Sequence, residues 1–418
     1  MMTAFPLRTY RQRIEAVKRR MSERGLDALV INYPDNINYL TGFDSLGFLW
    51  YQALIISPKL ANPIFLTRTS EEPCTYELSC LEEGIFYDIA KQDPLRIVAD
   101  SLEGLGLSQG RIGLEMQAST FSALQYTTLL RHMPNAHFED ASVVVAEERL
   151  IKTAEEIEYQ RSAARMADYG MRAALDALRP GMYEVQIAGV VAKALGDAGS
   201  EYSAISPMCA TGRRSTMTHA MPHRLTISPG DVVILEHAGV CNRYHAILMR
   251  TAVIGKPPAR VREVSTLLTE AFNAAIDVAK PGTPVGEANR VCNEILDRID
   301  LSRTRVHRIG YSLGLAYPPT WLEAMMVDEA DDHVFQPNMS FSIEPNLSLY
   351  SEGFGLKLGD TVLCEAGGSR SLEWESEDTG GGKPARSWLR TKANSIEGGT
   401  SEVMPNVVSK RILELPGG

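Results

Sequence analysis

Glu236 stands in the run VVILEHAG, where β-branched and apolar neighbours would bury a carboxylate within a strand. The charge state of a carboxylate so placed responds to any cation brought beside it, which makes Glu236 a candidate nucleophile or base for water. The plainer alternative is a buried glutamate paired with a neighbouring Arg, Lys or His. His237, next along the strand, alternates to the other face and reads as structural. A second carboxylate, Glu344 in FSIEP, could hold the N–H groups of a cation or orient an attacking group, or simply bond nearby backbone. His219 and His223 in THAMPH add imidazoles, whose unperturbed pKa of ~6.5 suits proton transfer near neutrality. His219 is the candidate acid or base, against a packed or surface histidine, and His223 a weaker candidate for holding a substrate carboxylate. Phe48, Trp50, Tyr317 and Trp321 are candidate aromatic walls for a cation, with core packing as the alternative for each.

The elements that must position these groups can be read from periodicity. An amphipathic helix from Tyr10 to Arg24 precedes the strand-like runs DALVINY, ALIISP and NPIFLT, a pattern of small α/β domains. Thr153 with Glu156 forms a capping box that opens a long helix, so a boundary is expected near residue 150. Further on, helices end at Arg179-Pro180-Gly181 and again at Lys280-Pro281-Gly282, each followed by a second helical stretch. The repetition suggests two αβ units about a pseudo-two-fold axis with a cleft between them, against the reading that Pro-Gly is a common helix stop.

Composition excludes several classes. The 418 residues carry 42 basic and 52 acidic side chains, a net charge of −10 with no basic stripe, which argues against a nucleic-acid partner. No apolar run approaches the ~20 residues that cross a bilayer, and the start is a charged helix, so a cytoplasmic protein with no membrane partner is expected. Six scattered cysteines form no C-x-x-C pair and read as free thiols.

The ordered segments ATGRRSTMTHAMPHRLTISPGDVVILEHAG, YHAILMRT, HRIGYSLG and FQPNMSFSIEPNLSLYSEGFGLKLGDTV, with NINYLTGF near the start, resemble the creatinase, prolidase and methionine aminopeptidase family. The resemblance implies an α/β (α+β) chain: a small N-terminal α/β domain over 1–150, then a pita-bread catalytic domain over 151–366 with a pseudo-two-fold repeat. It also implies a homodimer in which the partner's N-terminal domain closes the site. In metal-using members the ligands are two Asp, one His and two Glu. Carried over motif by motif, these fall on Glu236, Ile247, Tyr311, Glu344 and Gly359. Isoleucine and glycine side chains offer a cation no donor, so no metal and no cofactor is expected. A single cation held loosely by the two glutamates stays open as the alternative.

The family's proton-handling histidine falls on His219. Creatinase carries a catalytic Glu immediately before the Arg-Thr pair, where this chain has Met249, and basic residues where it has Leu49 and Trp50. The segments IGYSLGLAYPPTWLE, EHAG and LKLGDTV resemble the ectoine-hydrolysing branch of the family. That implies a small zwitterionic substrate, a cyclic amidine, with Glu236, His219 and Glu344 catalytic and Phe48, Trp50, His223, Tyr311 and Tyr317 binding substrate. The alternatives are a creatinase-like amidinohydrolase, an Xaa-Pro metallopeptidase, and an inactive peptidase-like binding module. His307, also kept where several members have a histidine, has no assigned role. Residues 367–418 depart from the family; they read as a linker followed by a segment resembling the C-terminus of acyl-CoA dehydrogenases.

Overall fold

The structure, a computed structural model, describes residues 3–305 and 308–372. His307 and all but the first residues of the 367–418 segment lie outside them. Among the described residues no helix is long and apolar enough to cross a membrane. The chain divides into two compact units, with the division between Arg149 and Leu150.

The N-terminal unit comprises helices α1 (Leu7–Glu23), α2 (Pro34–Thr41), α3 (Glu72–Leu78), α4 (Pro94–Gly104), α5 (Ala123–His132) and α6 (Val143–Arg149). Its strands are β1 (Ala28–Ile31), β2 (Ala53–Ile56), β3 (Ile64–Arg68), β4 (Ile85–Tyr87), β5 (Arg111–Leu114) and β6 (His137–Asp140), ordered β4-β3-β2-β1-β5-β6 in one mixed sheet. The run DALVINY becomes β1, buried at every residue because both faces of the sheet are covered. Glu115, just beyond β5, is fully buried and accepts from the Asn32 and Tyr33 backbone amides and from Asn36, which joins β5 to the start of α2.

The C-terminal unit opens with α7 (Ala154–Ala177), whose Thr153–Glu156 capping box forms in both directions. After it come α8 (Glu184–Asp197), β7 (Met208–Thr211), β8 (Val232–Cys241), β9 (Tyr244–Val253), α9 (Ala259–Val278) and α10 (Val285–Leu296). The chain then forms β10 (Tyr311–Leu313), β11 (Leu322–Met326), β12 (Ser340–Ile343), β13 (Leu347–Leu349), β14 (Phe354–Leu356), β15 (Gly359–Glu365) and β16 (Gly368–Ser371). The main sheet runs β11-β10-β12-β15-β9-β8-β7, with β16 added on β15.

The internal repeat is visible in backbone detail. Gly181 and Gly282 take nearly the same left-handed conformation, φ 90° and 89°, which only glycine adopts freely. The Gly181 amide donates to Ile227 O and the Gly282 amide to Phe335 O, each at 2.9 Å, and the Tyr183–Thr226 bridge has its counterpart in Pro284–Val334. Each helix pair also has its own core. Ala167, Met171, Ile187 and Val191 pack on Cys209, Val233 and Leu235, whereas Val264, Phe272, Val285 and Cys292 pack on Val327, Phe341, Ile343 and Val362.

Helix α7 lies on the β8–β9 hairpin at a separation set by Gly239, where an added Cβ would come within 2.0 Å of the Ala163 carbonyl. Val233, Leu235 and His237 therefore face the helices, and His237 Nε2 donates to Ala167 O at 2.9 Å, as the alternation of the strand predicts. Glu236 is left on the opposite face.

Candidate active site

Strand register assembles the site. Glu236 on β8 pairs with Met249 on β9, and Met249 pairs with Gly359 on β15, so the three positions form a row across adjacent strands. Ile247 lies two residues along β9 on the same face and packs with Ala238, Met249, Tyr311, Leu313 and Trp321 in an apolar floor. Glu344 follows β12, and Tyr311 begins β10, the neighbour of β12. The sheet thus brings Glu236, Glu344 and Tyr311 together, and each is at most 5% exposed.

The two carboxylates differ in their partners. Glu236 Oε2 is ion-paired with the Lys357 ammonium, which also donates to the Thr218 carbonyl at 2.6 Å. The alternative of a structural pair for Glu236 is therefore realised in part, with Lys357 as partner. Glu344 receives a hydrogen bond from the Tyr311 hydroxyl, and its Oε2 has no partner among the described residues. Burial, followed by the charge of Glu236, pushes the Glu344 carboxyl up to about 8, against the relief given by Tyr311 and the cations Lys357 and Arg308. Glu344 thus holds a proton at neutral pH while Glu236 faces an ammonium, a separation of roles between two carboxylates that suits acid–base chemistry.

Tyr311 is held by a chain of hydrogen bonds. Trp321 Nε1 donates to its hydroxyl at 2.8 Å, and the phenol proton is directed to Glu344. Burial and the two carboxylates hold its pKa well above the ordinary tyrosine value, so the phenol keeps the proton it donates to Glu344 while accepting from Trp321. The Arg308 guanidinium lies 5.3 Å from the ring centre.

The five family ligand positions do not fit a pair of divalent cations. Ile247 and Gly359 supply no donor atom, and the Lys357 ammonium is paired with Glu236. The volume is also filled: a Cβ at position 359 would lie 3.1 Å from Met249 Sδ and 3.0 Å from Glu344 Cβ. Among the described residues no group of three or more His, Cys, Asp or Glu side chains is arranged to hold a metal ion.

His219 and His223 are exposed on the segment joining β7 to β8. The segment is fixed by Glu184, the fully buried first residue of α8, which accepts from Thr211 N at 2.8 Å, His223 N at 2.9 Å and Arg214 Nε at 3.2 Å. His219 follows Thr218, whose carbonyl accepts from the Lys357 ammonium at 2.6 Å. Tyr317 is buried under Arg243 at the turn of the β8–β9 hairpin, 4.7 Å from ring centre to guanidinium. Within the N-terminal unit Phe48 is buried, and Trp50 has Arg68 stacked on its ring at 3.4 Å. Lys357, Arg308 and Glu184 were given no role from the sequence. The only signal was the basic position in LKLGD, because the burial that makes a lone lysine a counter-ion comes from strands distant in sequence.

Comparisons with known proteins agree over both units. The profile of Metallopeptidase family M24 matches residues 158–366, and that of the Creatinase/Prolidase N-terminal domain matches 13–151. The chain is 30% identical over 386 residues to the ectoine hydrolase of Halomonas elongata, covering 88% of this chain and 96% of that protein. It is 26% identical to the Xaa-Pro dipeptidase of Pyrococcus furiosus, covering 87% and 97%. The prolidase of Thermococcus sibiricus superposes with a TM-score of 0.80 at 22% identity, covering 87% and 96%, so the fold is the pita-bread fold of the prolidases. The chain belongs to the creatinase/prolidase family and is a hydrolase of that family.

Proposed function

We propose that this protein is a metal-independent hydrolase that opens the cyclic amidine ring of ectoine, and of its hydroxylated form, to an N-acetyl-2,4-diaminobutyrate. The observation that carries the reading is two buried glutamates with a lysine and a tyrosine over an apolar floor, at positions where Ile247 and Gly359 offer a cation no donor. The similarity to the Halomonas elongata ectoine hydrolase supports the choice of substrate.

An amidinium carbon is electrophilic without a Lewis acid, because the positive charge is already delocalised onto it. Glu236 activates a water that adds to that carbon, and the tetrahedral adduct loses one ring nitrogen; where Glu236 itself adds, the covalent adduct left after that loss is hydrolysed by a water attacking the same carbon, which frees Glu236. His219 supplies the proton with which that nitrogen leaves as an amine. Glu344 sits beside Glu236 to hold an amidinium N–H, and Tyr311 keeps Glu344 in place. The water oxygen ends as the carbonyl of the acetyl group, so the step is a balanced hydrolysis. The reading includes a homodimer whose partner N-terminal domain closes each site, which a molar-mass measurement in solution checks.

Proton NMR of the protein incubated separately with ectoine, creatine and an Xaa-Pro dipeptide tests the substrate. Ring opening of ectoine alone is expected. Cleavage of the dipeptide or of creatine with ectoine untouched would replace this reading by the peptidase or the amidinohydrolase. Glu236→Gln is expected to bind ectoine and not turn it over; retained turnover would move the chemistry to Glu344.

A further inference from the structure

Lys357 lies in the connection between β14 and β15 and is 4% exposed. Its backbone is locked on β9, with its amide donating to Thr251 Oγ1 at 2.7 Å and its carbonyl accepting from the same hydroxyl at 2.8 Å. A lysine stem so rooted delivers its ammonium to one place. There it meets Glu236 Oε2 and, at 2.6 Å, the carbonyl of Thr218. These two contacts belong to different parts of the chain: one to the candidate attacking group on β8, the other to the residue before His219.

The His219 segment is well fixed at its ends. Glu184 holds Thr211, Arg214 and His223, Ser215 Oγ accepts from Gly355 N at 2.9 Å, and Ser348 donates to Thr216 O at 2.8 Å. The centre of the segment, Met217 to Met221, carries two exposed methionines; Arg214 Nη2 donates to Met221 O at 2.7 Å at its far end, and the stretch before it has little apolar burial. Lys357 reaches into that centre. We infer that Lys357 is the positioning residue of this site, its single ammonium tying the carboxylate of Glu236 and the His219 segment into one unit. The role differs from that of the other buried ion pairs. Arg250–Asp360 joins β9 to β15, and Lys152–Glu323 joins the segment before α7 to β11. This inference rests on the proposed reaction for its catalytic meaning only; its structural content is independent of the substrate.

The test uses the full-length protein with Lys357→Met, which keeps the stem and removes the charge, and Lys357→Arg, which keeps the charge. Glu236→Gln combined with Lys357→Met removes both charges and provides a folded background should the single change unfold the protein. Amide hydrogen exchange is followed for the peptide spanning 213–223. Exchange there is expected to rise about tenfold or more in Lys357→Met and in the double variant, with the N-terminal sheet unchanged and Lys357→Arg close to the parent. In turnover of ectoine, Lys357→Met is expected to lower kcat by roughly a hundredfold with KM changed only a few-fold, and added ethylammonium to restore part of it. Unaltered exchange in 213–223 in both Lys357→Met and the double variant overturns the inference whatever the substrate. A parent protein inactive on ectoine, with exchange raised in the variants, overturns the proposed reaction and leaves the positioning role standing.

Discussion

Replacing Glu344 by Gln should remove a pH dependence from the stability of the C-terminal unit. In the folded protein burial and the neighbouring Glu236 lift the Glu344 carboxyl from 4.5 to about 8. The unfolded chain releases that proton near 4.5, so between 4.5 and about 8 the folded state binds one proton more. Stability from this group is therefore full below about 4.5, declines as pH rises, and is gone above about 8. The full span between these values corresponds to on the order of 5 kcal/mol, at ~1.4 kcal/mol per tenfold change in proton affinity. Glutamine keeps the shape and does not titrate. Urea unfolding of parent and Glu344→Gln at intervals from pH 5 to pH 8, followed by tryptophan fluorescence, isolates the effect, because every other titrating group cancels in the difference. The parent should lose several kcal/mol relative to the variant across that range. A difference that does not change with pH would mean that Glu344 is ionised throughout in the folded protein, and the assignment of an acid and a carboxylate to this pair would fall.

Other expectations follow from single contacts. His237 and His245 are pushed down to about 4 and about 3 by burial, so their contribution is present above 6.5 and lost as pH falls through those values; His245→Gln should flatten the acid limb of a urea-stability profile. Gly359→Glu restores a family ligand where Met249 and Glu344 leave no space, and should cost about 1–3 kcal/mol in a denaturant titration. Calorimetry with Mn²⁺ should show no tight binding to that variant. Gly239→Ala drives a methyl into the Ala163 carbonyl and should lower the thermal midpoint more than Gly196→Ala, where the added carbon meets nothing within 4 Å.

What was legible in the sequence was what local pattern determines. The Thr153–Glu156 box marked the start of α7, the paired Pro-Gly stops marked the repeat, and alternation along VVILEHAG placed Glu236 and His237 on opposite faces. Glu236, Glu344 and Tyr311 were reached through ordered motifs, each on a strand or immediately after one. What local pattern does not encode is which residue completes a site across strands. Lys357 reaches Glu236 only through the pairing of β8, β9 and β15, and Met249 fills the space beside Gly359 for the same reason. Tyr317 and Phe48 are buried, and aromatic type alone does not separate a wall from a core residue.

The measurement closest to the central claim is ectoine turnover by protein treated with chelator and verified free of transition metals, followed by proton NMR. Ring opening at the rate of the untreated protein, unchanged by added Mn²⁺ or Co²⁺, is the predicted result. Intact ectoine at high protein concentration, or opening that begins only when a metal is supplied, would contradict it.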